Sequence, residues 1–310
     1  MKNTLFISTY FNNAHFIELQ YRSFKKYVQD DWDFAIIDDA ADDTVSLLSG
    51  KKAAQEIPEE CARYGIRHIK PPQTIHGFTD QGGLMQRKDS LGNVWHPTEK
   101  HHCLLRWILD NHKNLGFDQY RTLVLFDADM FFKNPINISE YMEDYDLMGS
   151  HREQVIVTDH ITVPLTEDIV EMAGKKIDFF TLCLLFVNMQ TVKNLETFNN
   201  SSYLRISDTG GKSHRFIEQN PNYKVLFLGD MSDQNYRVDF FFKKDRPYSP
   251  ESAEIIHYRA GSNWSNESVP YYRAKLNKML EKFLPEFASS EAIPDDVVSA
   301  NKEHVIKKTV

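Results

Sequence analysis

The stretch TLVLFDADMFF, residues 122 to 132, sets two aspartates between two apolar runs. TLVLF has the length and composition of a buried strand. Asp127 and Asp129 lie two residues apart, so at a strand end both carboxylates can reach one hard cation, and the small Ala128 between them leaves room for a ligand. An isolated pair of this kind is more often a solvated surface pair. Charged groups are seldom set against such apolar runs without a neutralising partner, so the context predicts a metal site.

Strand-like and helical patterns alternate ahead of this stretch. Strands are predicted at 5 to 8, 34 to 37 and 66 to 69, with periodic apolar residues of helices between them, and a further helix precedes residue 122. Such alternation indicates a mainly parallel sheet, and open sheets of this type bind ligands at the carboxyl ends of their strands. The predicted fold class is therefore α/β, a Rossmann-like, mainly parallel mixed sheet flanked by helices.

The second half of the chain has a less regular pattern. Strands are predicted at 182 to 187, 225 to 228 and 254 to 257, and a helix at 271 to 283. Residues 71 to 99 are rich in glycine, proline and polar residues, which predicts a long surface loop or lid that contacts substrate. The predicted organisation is one domain at 1–270, divided into halves at 1–132 and 133–270, followed by a C-terminal helix and polar tail at 271–310.

Composition limits the classes of partner. The formal net charge of -8 and a pI near 5.8 argue against nucleic acid, because phosphate binding needs a concentrated basic face. The apolar runs are too short for a membrane span, and the N-terminus is typical of a first strand and not of a signal peptide. None of the three cysteines, Cys61, Cys103 and Cys183, has the spacing of a zinc or redox pair, which favours a cytoplasmic location.

An apolar strand, a D-x-D pair and further apolar residues resemble the metal and nucleotide signature of GT-A glycosyltransferases. The resemblance implies that the first strand opens the nucleotide site, that acids after the second strand contact the base or ribose, and that a basic residue on the helix before the D-x-D meets the donor phosphates. Besides Asp127 and Ala128, the donor-binding residues that it implies are Thr9, Tyr10, Asp38, Asp39 and either Lys100 or Arg106.

HYRAGSNW, residues 257 to 264, resembles the H-x-x-G-x-x-K-P-W element of retaining transferases related to glycogenin and bacterial galactosyltransferases. That resemblance implies His257 as the third metal ligand. The match has one extra residue between His257 and Gly261, and Ser262 stands where the motif has lysine. Two carboxylates and one imidazole suit Mn²⁺ or Mg²⁺, and the imidazole favours Mn²⁺. The residues implied around the diphosphate are Gly261, Ser262, Asn263 and Trp264.

SDTGGKSH, residues 207 to 214, contains an acidic residue followed by a pair of glycines. Asp208 is a candidate base for the acceptor hydroxyl, as an acid in the second half of inverting enzymes would be, and Asp230 is the reserve candidate. The equally good alternative is structural, with Asp208 capping a turn made by Gly210 and Gly211.

Over about residues 1 to 270 the whole pattern looks like a group of glycosyltransferases from large DNA viruses, phages and some bacteria. The resemblance implies metal-dependent transfer of a hexose or pentose from a UDP-linked nucleotide-sugar to a glycan, protein or modified nucleic acid, in the host cytoplasm if viral. One alternative is a phage-type enzyme that glycosylates hydroxymethylated DNA bases, which the acidic pI disfavours. Another is a nucleotidyltransferase, but TYFNN near residue 10 lacks its glycine-rich phosphate loop. A third is a binding module without catalysis.

Overall fold

The computed structural model describes residues 2–46, 49–72, 75, 97–157, 167–201, 209–232, 238–242, 249, 251–258 and 269–288. Its strands are β1 (Lys2–Tyr10), β2 (Trp32–Asp38), β3 (Arg67–Ile69), β4 (Tyr120–Phe126), β5 (Met130–Phe132), β6 (Leu147–Val155), β7 (Lys176–Asn188), β8 (Val225–Ser232), β9 (Val238–Phe241) and β10 (Ile255–His257). Its helices are α1 (His15–Tyr27), α2 (Ala53–Tyr64), α3 (Pro97–Asn111), α4 (Ile138–Met142), α5 (Glu167–Met172), α6 (Ser213–Gln219) and α7 (Val269–Phe283).

The described strands form one ten-stranded mixed sheet in the order β3-β2-β1-β4-β7-β6-β8-β9-β10-β5. Parallel pairings join β1 to β2 and β4, β2 to β3, and β6 to β8, whereas the other neighbours are antiparallel. The predicted mixed α/β sheet flanked by helices is confirmed. Its parallel strands are concentrated in the first half of the chain, where helices connect them, and antiparallel pairing dominates the second half.

Strand β1 lies in the middle of the parallel part and is buried on both faces, which explains its nearly continuous apolar sequence. Phe6 and Tyr10 point into a core cluster that includes side chains of α1 and α2. Leu5 and Ile7 point into a second cluster that includes side chains of α3. The predicted strands and helices of this half are confirmed, although the loop predicted at 71 to 99 ends before Pro97, where α3 begins. Most of that loop lies outside the described residues.

The three residues MFF after the D-x-D pair form β5, a strand that the sequence pattern did not predict because it indicated only apolar packing there. Met130, Phe131 and Phe132 are fully buried, and the ring of Phe132 stacks on Phe126 at 5.2 Å between centroids. Strand β5 pairs antiparallel with β10, so that Met130 lies opposite His257. The chain therefore leaves the centre of the sheet at β4 and joins its far edge at β5. Strands β6 and β9 and helices α4 and α5 were also missed.

Two glycines allow chain segments to lie tightly against β7. Gly210 has a φ of +96°, and a Cβ on it would lie 2.1 Å from the carbonyl oxygen of Phe180. A Cβ on Gly149 would lie 2.5 Å from the carbonyl oxygen of Leu184. The predicted turn at Gly210 is thus confirmed, and α6 begins just after it, as expected. Among the described helices, none is long and apolar enough to cross a membrane.

Replacing Gly210 with alanine should destabilise the protein by about 3 kcal/mol, because strain at positive φ and overlap with Phe180 act together. Gly174 is the matched control, since its φ is +75° but a Cβ there would meet nothing within 4 Å. Gly174→Ala should therefore cost only about 1 kcal/mol. Denaturant unfolding measures both values, and equal costs would contradict the close approach to β7.

Candidate metal centre

The D-x-D segment forms a tight turn between β4 and β5. The backbone N–H of Met130 donates to the carbonyl of Asp127 at 3.1 Å, which closes the turn. The backbone N–H of Asp127 donates to the carbonyl of Cys183 on β7 at 2.8 Å. The turn is therefore attached to the middle of the sheet at its first residue.

Two buried side chains hold the carbonyl groups of this turn. The Gln20 amide of α1 donates to the carbonyls of Asp127 at 2.6 Å and Met130 at 3.2 Å. The Tyr10 hydroxyl at the end of β1 shares its proton between the carbonyl of Ala128 at 3.1 Å and Gln20 Oε1 at 2.8 Å. Gln20 and Tyr10 are both almost fully buried, so each lost contact would leave a polar group without water to replace it.

The side chains of Asp127, Asp129 and His257 converge on one point. Each offers a ligand atom, and these atoms lie within 4.8 Å of one another. His257 Nε2 lies 3.1 Å from Asp129 Oδ1 and 3.7 Å from Asp127 Oδ2. The convergence follows from strand register, since Met130 lies opposite His257 and the backbone N–H of Tyr258 donates to the carbonyl of Asp129. The three predicted ligands therefore lie together in space, although Asp129 and His257 are 128 positions apart in sequence.

Electrostatics at this point favour positive charge. Burial disfavours the charged form of His257, but the charge of Asp129 and its hydrogen bond to the imidazole outweigh the effect of burial. The pKa of His257 is therefore raised well above the ordinary histidine value. Burial, with a further contribution from Asp129, raises the pKa of Tyr10. Two carboxylates thus share one imidazole in a partly buried site, and Asp127 keeps 27% of its side chain exposed. The donor set of two carboxylate oxygens and one imidazole nitrogen fits a divalent cation such as Mn²⁺.

A cleft of about 200 Å³ opens beside the triad. One wall is built by β6 and β7, and the reserve base candidate Asp230 on β8 also lines the space. Its other residues include Asp127, His257, His101, Ser150, His151, Arg152, Thr181, Cys183 and Thr209.

The predicted donor-binding residues of β1 and β2 occupy different environments. Thr9 Oγ1 lies 3.5 Å from Nε2 of His101, which lines the cleft, whereas Tyr10 is engaged with the turn. Asp38 is buried and accepts hydrogen bonds from the backbone N–H of Ala40, from His68 Nε2 and from Lys70 Nζ. His68 lies on the neighbouring strand β3, and Lys70 is the residue after that strand. Asp39 is also buried, and its backbone N–H donates to the carbonyl of Tyr10.

The basic candidates lie on α3. Arg106 forms a two-pronged ion pair with Asp110 and donates to the carbonyls of Glu196 and Phe198. These bonds fasten the 3-10 turn Leu195–Thr197 to α3. The side chain of Lys100 lies outside the described residues. So do Asp208, Gly261, Ser262, Asn263 and Trp264, whose roles stay predictions; Thr209, next to Asp208, reaches the cleft.

Gln20 is a residue of the candidate site that the sequence pattern did not predict. Its signal was present: a polar residue next to Leu19, on a helix whose other buried positions are mostly apolar. Buried polar groups are almost always hydrogen-bonded, so such a residue indicates a specific partner. What the sequence did not contain was the identity of that partner.

Solved structures of similar architecture include three glycosyltransferases. One is a galactosyltransferase, LgtC, in complex with donor and acceptor sugar analogs, at 12% identity and a TM-score of 0.37 over 73% of each chain. The mannosyltransferase Ktr4p from S. cerevisiae has 10% identity and a TM-score of 0.41 over 69% of this chain and 64% of that chain. Mouse xyloside xylosyltransferase 1 has 10% identity and a TM-score of 0.37 over 73% and 84%. No protein-family model matches the chain, and no curated protein matches it.

Replacing Gln20 with leucine should lower the free energy of unfolding by about 2 kcal/mol or more, because buried carbonyls of the turn lose their donor. The affinity for Mn²⁺ should fall as well, since the turn that carries both aspartates loses its support. Gln29→Leu, at an exposed position just beyond α1, is the matched control and should change neither quantity. Calorimetric Mn²⁺ titration and denaturant unfolding measure the two effects; unchanged values for Gln20→Leu would refute the anchoring role.

Binding of Mn²⁺ near neutral pH should release about one proton per ion, because an imidazole ligand must be neutral. The pKa of His257 is raised in the folded protein, so the metal-free site holds this proton as the pH rises past the ordinary histidine value, and Mn²⁺ affinity should increase with pH. Titration calorimetry in buffers of different ionisation enthalpy measures the release. His257→Gln should abolish it, and a wild-type heat that is independent of the buffer would disprove protonation at this site.

Proposed function

We propose that the chain is a metal-dependent glycosyltransferase that moves a sugar from a UDP-sugar donor to a hydroxyl group of a glycan or another biomolecule. The observation that carries the proposal is the convergence of Asp127, Asp129 and His257 beside a cleft at the carboxyl end of β4. Open α/β sheets place ligand sites at this edge, and a cleft that contains a titratable group with a strongly perturbed pKa is typical of a functional site.

The chemistry of sugar transfer accounts for this donor set. Breaking the bond between the sugar and the diphosphate leaves negative charge on the phosphate oxygens. Mn²⁺ or Mg²⁺ supplies Lewis-acid stabilisation of that charge when bound. Asp127, Asp129 and His257 would hold the ion, and Asp127, whose side chain is 27% exposed, lines the cleft that would receive the diphosphate.

In this proposal, the remaining donor-binding residues lie along the same edge of the sheet. Thr9, beside His101, is the donor-side candidate that the described contacts bring next to the cleft. Asp38 and Asp39 lie at the end of the neighbouring strand, where the network with His68 and Lys70 fixes the position of the Asp38 carboxylate. On the acceptor side, Asp230 lines the cleft and is a candidate for contact with the attacking hydroxyl.

A panel of sugar nucleotides tests the proposal. UDP-glucose, UDP-galactose, UDP-N-acetylglucosamine and GDP-mannose are incubated with the protein with and without Mn²⁺, and the released sugar and nucleoside diphosphate are measured. We expect slow hydrolysis of at least one donor that depends on Mn²⁺. A nucleotidyltransferase would instead join a nucleoside triphosphate to a sugar 1-phosphate, so pyrophosphate release in a parallel incubation with those two compounds, without free sugar from the panel, would favour the alternative.

Asp129→Ala should abolish this Mn²⁺-dependent hydrolysis, because one of the two carboxylate ligands is lost. Removing a group that stabilises the leaving diphosphate should cost at least about 100-fold in rate. Asp118→Ala removes an exposed acid from the 3-10 turn before β4 and should behave as wild type. Circular dichroism and thermal melting confirm that both variants fold. Near-normal hydrolysis by folded Asp129→Ala would rule out the metal site.

A further inference from the structure

The β6 wall of the cleft departs from regular strand geometry. Ser150, His151 and Arg152 are consecutive, yet all three line the cleft. In a regular strand, successive side chains point to opposite faces. The pairing of β6 with β7 shifts register between Gly149 and His151, and such bulges redirect side chains. Gly149 lets this segment lie against the carbonyl of Leu184. The irregularity thus brings His151 to the cleft.

The imidazole of His151 is held in one orientation by two contacts. Its Nε2 lies 2.7 Å from Asp178 Oδ1 on the paired strand β7. Its ring lies 4.4 Å from the ring of Phe227 on β8, measured between centroids. Because an ionised carboxylate only accepts hydrogen bonds, Nε2 carries the hydrogen, and in the neutral imidazole Nδ1 keeps a lone pair.

We propose that His151 is the general base of the reaction and that Asp178 is its positioning residue, an inference that rests on the proposed function. As the oxygen of the attacking hydroxyl forms its bond to the anomeric carbon, the bond from that carbon to the diphosphate breaks and its electron pair leaves with the phosphate. The hydroxyl proton passes to Nδ1 of His151. A base held within hydrogen-bond reach of the nucleophile is what this step requires.

The cleft holds other groups that can take a proton, and one of them is His101, whose Nε2 lies 3.5 Å from Thr9 Oγ1. Asp127 and His257 belong to the metal centre, where a bound cation would occupy their lone pairs. Asp230 is the competing acid in the same cleft, and it was the base candidate drawn from the sequence. Variants of His151, His101 and Asp230 therefore distinguish the three assignments, and an azide-rescued loss in His101→Gln with full activity in His151→Gln would overturn the inference.

Donor hydrolysis provides a test that needs no knowledge of the natural acceptor, because water then acts as the attacking hydroxyl. The substrate is the sugar nucleotide of the panel that wild-type protein hydrolyses fastest with Mn²⁺. His151→Gln should slow hydrolysis about 100-fold or more. Asp178→Asn should cause a smaller loss. Azide attacks without giving up a proton, so added azide should bring both variants to the wild-type rate in azide, with the glycosyl azide as product.

The controls separate catalysis from folding. Lys176→Gln breaks the exposed ion pair of Lys176 with Glu153 on the same two strands and should leave hydrolysis unchanged. Mn²⁺ affinity and the melting temperature should be the same in His151→Gln and wild type. Full activity of His151→Gln, or a loss that azide does not restore, overturns the inference, as does the azide-rescued loss appearing in Asp230→Asn instead. If wild type hydrolyses no donor, the proposed function itself fails, and this inference with it.

Discussion

Four consecutive peptide carbonyls, those of residues 127 to 130, are each held by a donor from elsewhere in the chain. Gln20 of α1 holds the first and last, Tyr10 of β1 holds the second, and the backbone of Tyr258 after β10 holds the third. These donors come from segments far apart in sequence. The turn that carries Asp127 and Asp129 therefore takes its shape only when the central strands, the first helix and the last strand are all in place.

This anchoring permits an arrangement that electrostatics alone would oppose. Two carboxylates and one imidazole are gathered in a partly buried position, where the carboxylates repel each other and burial disfavours their charge. The ion pair between protonated His257 and Asp129 offsets part of this cost in the metal-free protein. A rigid turn that concentrates negative charge is poised for a divalent cation, and local conflicts of this kind are expected where a fold serves a function.

The cleft is built by two different kinds of structure. On one side, the candidate metal centre lies at the junction of β4, β5 and β10, and its geometry is fixed by hydrogen bonds to the backbone carbonyls of the turn. On the other side, β6 and β7 contribute side chains through a register shift that Gly149 makes possible. Such bulges occur mainly in antiparallel pairs, and β6 pairs antiparallel with β7. In the proposed reaction, charge stabilisation is thus assigned to the junction of β4, β5 and β10, and proton removal to the wall built by β6 and β7.

The sequence by itself determined the strand before the aspartates, the pair Asp127 and Asp129, the candidate ligand His257 at the end of another strand, and most elements of the parallel half. These features are local, since an apolar run and its flanking residues specify a strand and its end. The roles of Gln20 and Tyr10, the existence of β5, and the pairing of His151 with Asp178 were decided by the tertiary structure. Each depends on which strands become neighbours and in which register, and a pattern of period two identifies the buried face of a strand but not its partner.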